Sequence, residues 1–290
     1  MLAAVAGPTE HYRRMESTVS SESLIPAVEA HLQLTNEIVR NNVPTTAGFG
    51  LLSEAAGLAA WLAADRGDTA TARRRYTESI RHAESAGNSL LVSYMIASFG
   101  HYAVELGNPH QGLQLLNRAG NHLGPEAPPT AHAWLASLRA VAHARLGNSP
   151  LTIESLRTAE KLANRQPNDP QWPWVFSFTP AKVARYQASA FAHLGDLRAS
   201  MAAFTAAKSA LTAPKPKALA QVEQARAFAK AGRVDEACNL AREAIKVGHK
   251  YGSERITTNV RLLRNELPRK SVAVTEFDEA LSALYSQEER

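Results

Sequence analysis

The sequence is poor in cysteine, with a single one, Cys238, among its 290 residues. One cysteine excludes an intrachain disulfide, and this composition is typical of a reducing compartment, so we expect a cytoplasmic protein. Long apolar runs are absent as well, since no stretch reaches the roughly 20 residues that a membrane-spanning helix needs. Residues 1–8 are apolar but lack the basic residues that open a secretion signal. No membrane association is therefore expected.

Motifs for catalysis and metal binding are also missing. The sequence has no glycine-rich phosphate loop and no Gly-x-Ser-x-Gly nucleophile motif. Its ten histidines are scattered, without the two-ligand spacing of a helical zinc site. We expect His143 to lie in the core or at its boundary, and Cys238 to act as a small, half-buried hydrophobe. The sequence thus predicts a protein that is not an enzyme and holds no cofactor or metal.

The charge is basic, with a formal net charge of +5 and a pI of about 9.4. Such a balance raises the question of nucleic-acid binding. The basic clusters at 73–75, 215–217 and 269–270 are far apart, however, and no aromatic residues are interleaved with them as in single-strand binders. We interpret them as solvated surface and expect no direct contact with nucleic acid.

What the sequence does contain is a repeated spacing around five glycines. Gly67, Gly107, Gly147 and Gly195 are followed by Asp or Asn, and Gly232 is followed by Arg. Small residues stand seven positions before, five after and twelve after each glycine: Ala60, Gly100, Ala140, Ala188 and Ala225; Ala72, Gly112, Thr152, Ser200 and Ala237; Ser79, Ala119, Ala159, Ala207 and Ala244. Nine positions after the glycine a larger side chain occurs in four copies, Tyr76, Leu116, Leu156 and Phe204, with Ala241 as the exception.

This spacing predicts a helix, a turn and a second helix, repeated five times. Two helices approach closely only where their side chains are small. Glycine suits the end of one helix, and Asp or Asn suits the start of the next. We therefore predict an all-α, right-handed helical-repeat solenoid, with a helical lead-in over 1–50, five repeats over 51–250 and capping helices over 251–290. The glycine spacings of 40, 40, 48 and 37 residues exceed the length of about 34 of a compact repeat. We expect extended loops between the repeats.

The pattern of small and bulky positions resembles tetratricopeptide repeats over about two thirds of the chain. A narrower resemblance is to actinobacterial helix-turn-helix transcriptional regulators with tetratricopeptide tails. The matching pieces are His11-Tyr12-Arg13-Arg14, Leu24-Ile25-Pro26, His31-Leu32, Ala60-Trp61-Leu62, Asp65-Arg66-Gly67-Asp68, Asp169-Pro170 before Trp172, Asp235-Glu236-Ala237-Cys238 and Ser253-Glu254-Arg255. In that family a DNA-binding domain of about seventy residues precedes the tail, and none precedes His11 here. The resemblance implies only the sensing or partner-binding half.

One face of each first helix is predicted to line a concave groove. It carries the residues thirteen, ten, six and two positions before each glycine, opposite the small packing residues. The first two repeats place Glu54, Asp65 and Glu105 there, and the last three place Arg145, Lys182, Arg185, Arg226 and Lys230 there. The charge therefore changes sign along the predicted groove.

We interpret the groove as the binding site of a peptide or protein partner whose acidic groups lie toward repeats three to five. The predicted ligand-binding residues are Trp61, Tyr94, His101, Trp134, Arg145, Lys182, Arg185, His193, Arg226 and Lys230. Replacing Arg185 and Arg226 with Glu is expected to abolish binding. An ordinary solvated face, a general protein scaffold and a shortened form of a DNA-binding regulator remain alternatives. The aromatic run from Trp172 to Phe178 is predicted to plug a gap between repeats, with a lid as the alternative.

Overall fold

The computed structural model describes residues 2–164, 178–268 and 271–285. Over these ranges the chain forms fourteen α-helices and one short 3-10 helix, Lys208–Ala210, with no β-strand. The prediction of an all-α fold is confirmed. The chain divides into two compact units, Met1–Ala127 (unit 1) and Pro128–Arg290 (unit 2).

Unit 1 contains six helices. They are α1 (Leu2–Met15), α2 (Ser21–Asn42), α3 (Thr46–Asp65), α4 (Thr69–Ser85), α5 (Ser89–Glu105) and α6 (Pro109–Asn121). Helix α3 packs against α2 and α4, while α5 packs against α4 and α6. The first part of the core joins Leu24, Val28 and Leu32 of α2 to Leu52 and Leu62 of α3. Helix pairs therefore share apolar faces with their neighbours, as the repeated spacing predicts.

Unit 2 contains the other eight helices. They are α7 (Pro129–Arg145), α8 (Ser149–Ala163), α9 (Pro180–Leu194), α10 (Leu197–Ala206), α11 (Pro214–Lys230), α12 (Val234–Lys250), α13 (Glu254–Glu266) and α14 (Val272–Tyr285). The first helices of successive pairs contact one another in order, α7 with α9, α9 with α11 and α11 with α13. Side chains from four consecutive pairs can thus meet along this row of helices.

The turns within the pairs lie where the sequence predicts them. All five glycines have a positive φ, between 71° for Gly147 and 82° for Gly107, which residues with a Cβ rarely adopt. In three of the turns, the side chains of Asp68, Asn148 and Asp196 accept a hydrogen bond from the backbone N–H three residues later. The predicted repeat of a helix, a turn and a second helix is therefore confirmed at these positions.

The small residues mark close helix contacts. Ala60, Ala140, Ala188 and Ala225 are 0% exposed, and the matching positions on the second helices are buried too. The tightest contact joins α5 to α6, where a Cβ added to Gly112 would lie 2.8 Å from the carbonyl oxygen of Gly100 and would also collide with the side chain of Val104. The repeated small residue is therefore a steric requirement at this crossing.

Gly112 gives the first testable prediction. We expect Gly112→Ala to lower the free energy of unfolding by about 2 kcal/mol, because the new methyl group meets backbone atoms that cannot rotate away. Urea unfolding followed by circular dichroism measures the change. The control is Gly124→Ala, because nothing lies within 4 Å of a Cβ at that position. A Gly112→Ala protein as stable as the control would contradict the close approach.

The 40-residue spacing from Gly67 to Gly107 exceeds a compact repeat because its helices are long, and not because its loops are extended as expected. Between Gly67 and Gly107, α4 and α5 have 17 residues each, and the turn between them is Ala86–Asn88. A second glycine with positive φ, Gly87, occupies this turn. The widest spacing, between Gly147 and Gly195, includes residues 165–177, which lie outside the described residues.

Helix α3 is long and apolar enough to cross a membrane by length and composition, alone among the helices in the described part of the chain. In the structure 67% of its most apolar window is buried inside the protein. Its hydropathy is accounted for by its position in the core, between α2 and α4. Helix α3 begins at Thr46, five residues before the predicted start of the repeats, and the division into lead-in, repeats and caps stays an interpretation.

Candidate functional site

The predicted ligand-binding residues fall in both units. Trp61, Tyr94 and His101 belong to unit 1, on α3 and α5. The other seven, from Trp134 to Lys230, belong to unit 2, on α7, α9 and α11. The residues of each unit are therefore described separately.

In unit 1 the predicted positions form a polar face on α3 and α5. We call it the α3–α5 face and define it by Glu54, Trp61, Asp65, Tyr94 and His101. The rings of Trp61 and His101 stack with their centroids 6.2 Å apart and their planes at 25°. Trp61 and His101 therefore lie side by side on neighbouring first helices, as the helical spacing predicts.

The N-terminal part of the chain lies on this face. Arg13 Nη1 is 3.9 Å from Glu54 Oε2, near the middle of α3. The indole N–H of Trp61 donates to Glu16 Oε2 at 3.1 Å. At the end of α3 the buried hydroxyl of Ser21 donates to Asp65 Oδ2 at 2.6 Å. Residues 13–21 thus follow α3 along three of its four predicted groove positions, a contact that sequence reasoning missed.

Tyr94 on α5 faces the same charges. Burial raises the pKa of its hydroxyl, and so do the carboxylates of Glu16 and Glu54, whereas Arg13 lowers it. Electrostatic effects of this kind require the charges to lie close to the ring. The N-terminal residues therefore influence α5 as well as α3.

In unit 2 the predicted cations converge on a carboxylate that was not predicted, Glu223 of α11. Arg226 Nη1 donates to Glu223 Oε1 at 2.8 Å, while His193 Nε2 and Arg145 Nη2 lie 3.1 and 3.6 Å from its oxygens. On its other side, Arg226 Nε donates to Glu266 Oε1 at 2.9 Å. We call these five residues the Glu223 cluster. They come from α7, α9, α11 and α13 and connect the whole row of first helices.

The charges within the Glu223 cluster stabilise one another. Burial raises the pKa of Glu223, but Arg226, His193 and Arg145 outweigh it and hold the pKa well below its usual value. Burial lowers the pKa of His193 to about 4, and Arg145 and Arg226 act in the same direction, against Glu223. At neutral pH His193 is therefore uncharged, while Glu223 is ionised.

The Glu223 cluster corrects the predicted role of Arg226. Its side chain is 2% exposed and bonded to Glu223 and Glu266, so it does not present a cation at the surface. The substitution Arg226→Glu would place a third carboxylate beside two others and would disturb the fold. A test of ligand binding must use other residues.

The remaining predicted residues of unit 2 differ in exposure. Trp134 is 7% exposed, so its ring offers little contact area to a ligand, although the sequence predicts it among the ligand-binding residues. Lys230 is exposed, and its Nζ donates to the carbonyl oxygen of His193. Arg185 is half-buried, with its guanidinium carbon 5.7 Å from the ring centroid of Tyr186. Burial lowers the pKa of Lys182, and the charge of Arg185 lowers it further. Lys182, Arg185 and Lys230 form what we call the cationic surface of unit 2.

The change of sign predicted along the groove extends to the whole units. Unit 1 has nine arginines, no lysine and twelve acidic residues, a net charge of −3 with neutral histidines. All nine lysines belong to unit 2, which has fourteen arginines and fifteen acidic residues, a net charge of +8. Unit 2 therefore attracts anions over its surface as a whole.

Other candidate groups have structural roles. Cys238 is 0% exposed, and burial raises the pKa of its thiol, so it packs as a hydrophobe. His143 is half-buried, as expected for a boundary position. No group of three potential metal ligands occurs in the ranges that the structure describes.

The aromatic run from Trp172 to Phe178 is only partly described. Trp172–Ser177 lie outside the described residues, while Phe178 is 1% exposed and its ring centroid is 6.1 Å from that of Tyr186. Whether the rest forms a plug or a lid stays a prediction.

Comparison with known proteins identifies the fold. No protein-family model matches the sequence, and no curated protein matches it either. The structure is similar to the crystal structure of BtubC (BKLC) from P. vanneervenii, with a TM-score of 0.53 and 14% identity over 87% of this chain and 96% of that one. It is also similar to the anaphase-promoting complex (APC/C) hetero-tetramer Cut9–Hcn1, with a TM-score of 0.50 and 15% identity over 91% of this chain and 48% of that one. The chain thus spans about half the length of the second structure's chain. The fold is a tetratricopeptide-like helical repeat, as predicted.

Proposed function

We propose that the protein is a non-enzymatic binding module whose cationic surface in unit 2 binds an acidic peptide segment of a protein partner. The observation that carries the proposal is that Lys182 and Arg185 of α9 and Lys230 of α11 are not members of the Glu223 cluster, in a unit of net charge +8. Lys230 adjoins the cluster through its bond to the carbonyl oxygen of His193. The protein is further proposed to act in the cytoplasm.

The chemistry of these cations favours carboxylates. A guanidinium such as that of Arg185 can bind a carboxylate through two parallel hydrogen bonds. Lys182 has a depressed pKa because it is partly buried next to Arg185, and an incoming anion would relieve that repulsion. Lys230 adds a positive charge at the C-terminal end of α11, where it contacts the end of α9 opposite to Lys182 and Arg185. An elongated acidic segment would satisfy all three.

The Glu223 cluster supports such a site without contacting the ligand directly. Its ion pairs join four helices, which fixes the spacing of the side chains around it. A preorganised surface binds more tightly because less conformational entropy is lost on binding. The cluster is therefore the rigid base of the proposed site.

The test uses the full-length chain and a fluorescein-labelled hexapeptide of alternating Asp and Glu with a free C-terminal carboxylate. We expect Arg185→Glu/Lys230→Glu to weaken binding by at least about 10-fold at low salt, because two attractions become repulsions. The matched control is Arg198→Glu/Lys208→Glu, which reverses one exposed Arg and one exposed Lys of unit 2 on other elements, α10 and the 3-10 helix that follows it. Fluorescence anisotropy gives the dissociation constants.

The control separates a site from general attraction. An equal loss in both double variants would mean that only the net charge of unit 2 matters, and unchanged binding by Arg185→Glu/Lys230→Glu would overturn the proposal. Circular dichroism spectra of both variants establish that each is folded.

A general scaffold is the second candidate function. The similar chain Cut9 is part of a hetero-tetramer with Hcn1, which favours a role in holding proteins together. A scaffold would gain little thermal stability from the acidic peptide, whereas a binding module gains stability by mass action. The proposed link to transcriptional regulation is supported by the resemblance of segments such as Ser253-Glu254-Arg255. The mass of the endogenous protein tests it, since a value above 31.4 kDa by one small domain would reveal an attached DNA-binding domain.

A further inference from the structure

The α3–α5 face of unit 1 is already occupied by the protein's own N-terminus. We call residues 2–20, which comprise α1 and the turn after it, the N-terminal segment. Arg13 meets Glu54 near the middle of α3, and Glu16 meets Trp61 near its end. The chain then enters α2 at Ser21, whose hydroxyl binds Asp65 at the end of α3. Residues 13–21 therefore run along the second half of α3, from Glu54 to Asp65.

These contacts involve the positions that the sequence predicts for ligand binding. Glu54, Trp61 and Asp65 stand thirteen, six and two residues before Gly67. The basic side chain of Arg13 lies near Glu54, and the carboxylate of Glu16 accepts a hydrogen bond from the indole N–H of Trp61. The N-terminal segment thus provides what a peptide ligand of this face would have to provide. It also shows the direction in which such a ligand would lie.

The N-terminal segment is held weakly. Only Val5 and Thr9 of α1 are buried, whereas α2 buries Leu24, Val28 and Leu32 among others. Helix α1 contains Pro8, which lacks a backbone N–H and weakens a helix interior. The Arg13–Glu54 pair is long at 3.9 Å, and its two side chains remain 12% and 27% exposed. Elements with few buried apolar contacts open at a small cost in free energy.

We propose that the N-terminal segment is a displaceable intrachain occupant of the α3–α5 face, where it competes with a peptide that carries a basic residue followed three residues later by an acidic one. Binding of such a peptide requires the segment to leave. The competition regulates access to unit 1 and goes beyond the proposed function, which concerns the cationic surface of unit 2. Either proposal can fail without the other.

The expected strength of the competition follows from tethering. A segment attached through a short connection has an effective concentration on the order of millimolar. If a free peptide of the same sequence binds with a dissociation constant of about 0.1 mM, tethering weakens its apparent affinity roughly 10-fold. If the attached segment loses its contacts with α3, the apparent affinity for the free peptide should rise again by the same factor.

The experiment uses the full-length protein and a labelled synthetic peptide that copies residues 9–24. In Arg13→Ala/Glu16→Ala the attached segment loses its contacts, while the free peptide keeps them. We expect this variant to bind the peptide at least about 10-fold more tightly than the wild type does. The matched control is Glu10→Ala/Arg14→Ala, which also removes one Arg and one Glu. Those two side chains pair with each other at 2.6 Å on the exposed side of α1, so the control should bind like the wild type.

Two further measurements complete the test. Trp61→Phe in the Arg13→Ala/Glu16→Ala background keeps an aromatic ring but removes the indole N–H, and it should weaken peptide binding again. In the wild type, amide hydrogen exchange in α1 should be at least about 100-fold faster than in α3. Equal peptide binding by the wild type and by Arg13→Ala/Glu16→Ala would overturn the proposal. Amide protection in α1 as strong as in α3 would overturn it independently, even if the variants failed to fold.

Discussion

Replacing Glu223 with alanine is expected to lower the free energy of unfolding by about 3–5 kcal/mol. The substitution removes the carboxylate that Arg226 contacts at 2.8 Å inside unit 2. Arg226 would remain charged with its side chain 2% exposed, and Glu266, its other partner in the described part of the chain, is 37% exposed. Arg145 and His193 would lose the same carboxylate. An uncompensated buried charge is among the most destabilising defects that one substitution can create.

Two variants establish that the effect comes from charge burial. Glu266→Ala also removes a partner of Arg226, but from a more exposed position, and should cost less than about 1 kcal/mol. The double variant Glu223→Leu/Arg226→Met removes both buried charges and should recover most of the loss, because apolar side chains of similar size pack there without desolvation of an ion. Urea unfolding and amide exchange in α11 measure all three. A loss below about 1 kcal/mol for Glu223→Ala would show that water already solvates Arg226.

The fold could be predicted because its signals are local and repeated. Each glycine before Asp or Asn marks one turn, and Gly67 and Gly195 have the positive φ that is common for glycine at the end of a helix. A small residue seven positions before the glycine marks the point where the two helices of a repeat cross, and Ala60 and Ala188 are fully buried at such points. Five copies of one pattern make each copy more informative than it would be alone.

The partners within the sites could not be predicted in the same way. Helical periodicity places Arg226 on the correct face but does not determine which carboxylate lies opposite. Glu223 is next to a predicted groove position, and its spacing of three residues from Arg226 was the available signal for an ion pair. The contact of Glu16 with Trp61 joins residues 45 apart in the chain, and no local pattern relates them. The burial of Trp134 likewise depends on neighbouring helices.

The two faces now differ in what a ligand must overcome. On the α3–α5 face, a peptide has to replace Arg13 and Glu16 at positions that they already occupy. On the cationic surface, Arg185 and Lys182 repel each other, so an anion gains from their proximity. Binding to unit 1 is therefore expected to depend on the length and sequence of the peptide. Binding to unit 2 is expected to depend mainly on its charge and on ionic strength.

The stability of unit 2 is expected to fall in mild acid because of His193. Its pKa is about 4 in the folded protein, because the side chain is buried and lies near Arg145 and Arg226, and about 6.5 in an unfolded chain. The ammonium group of Lys230 bonds to the backbone carbonyl oxygen of the same residue. Below pH 6.5 the unfolded chain binds a proton that the folded protein does not. Stability is thus complete above pH 6.5 and is lost progressively toward pH 4. Glu223 adds its own loss only below its ordinary pKa of 4.5.

Substitution of His193 isolates this contribution. Between pH 6.5 and 4.5 we expect the wild type to lose about 2–3 kcal/mol more than His193→Gln, which can still donate a hydrogen bond to Glu223 but does not titrate. His31 and His143, whose pKa values burial also lowers, contribute equally to both proteins and cancel in the difference. The control is His110→Gln, at an exposed position of α6 in the other unit, which should keep the wild-type pH dependence. Urea unfolding at half-unit pH steps measures the slopes, and parallel slopes for the wild type and His193→Gln would mean that His193 is protonated in the folded protein and pairs with Glu223 as a cation.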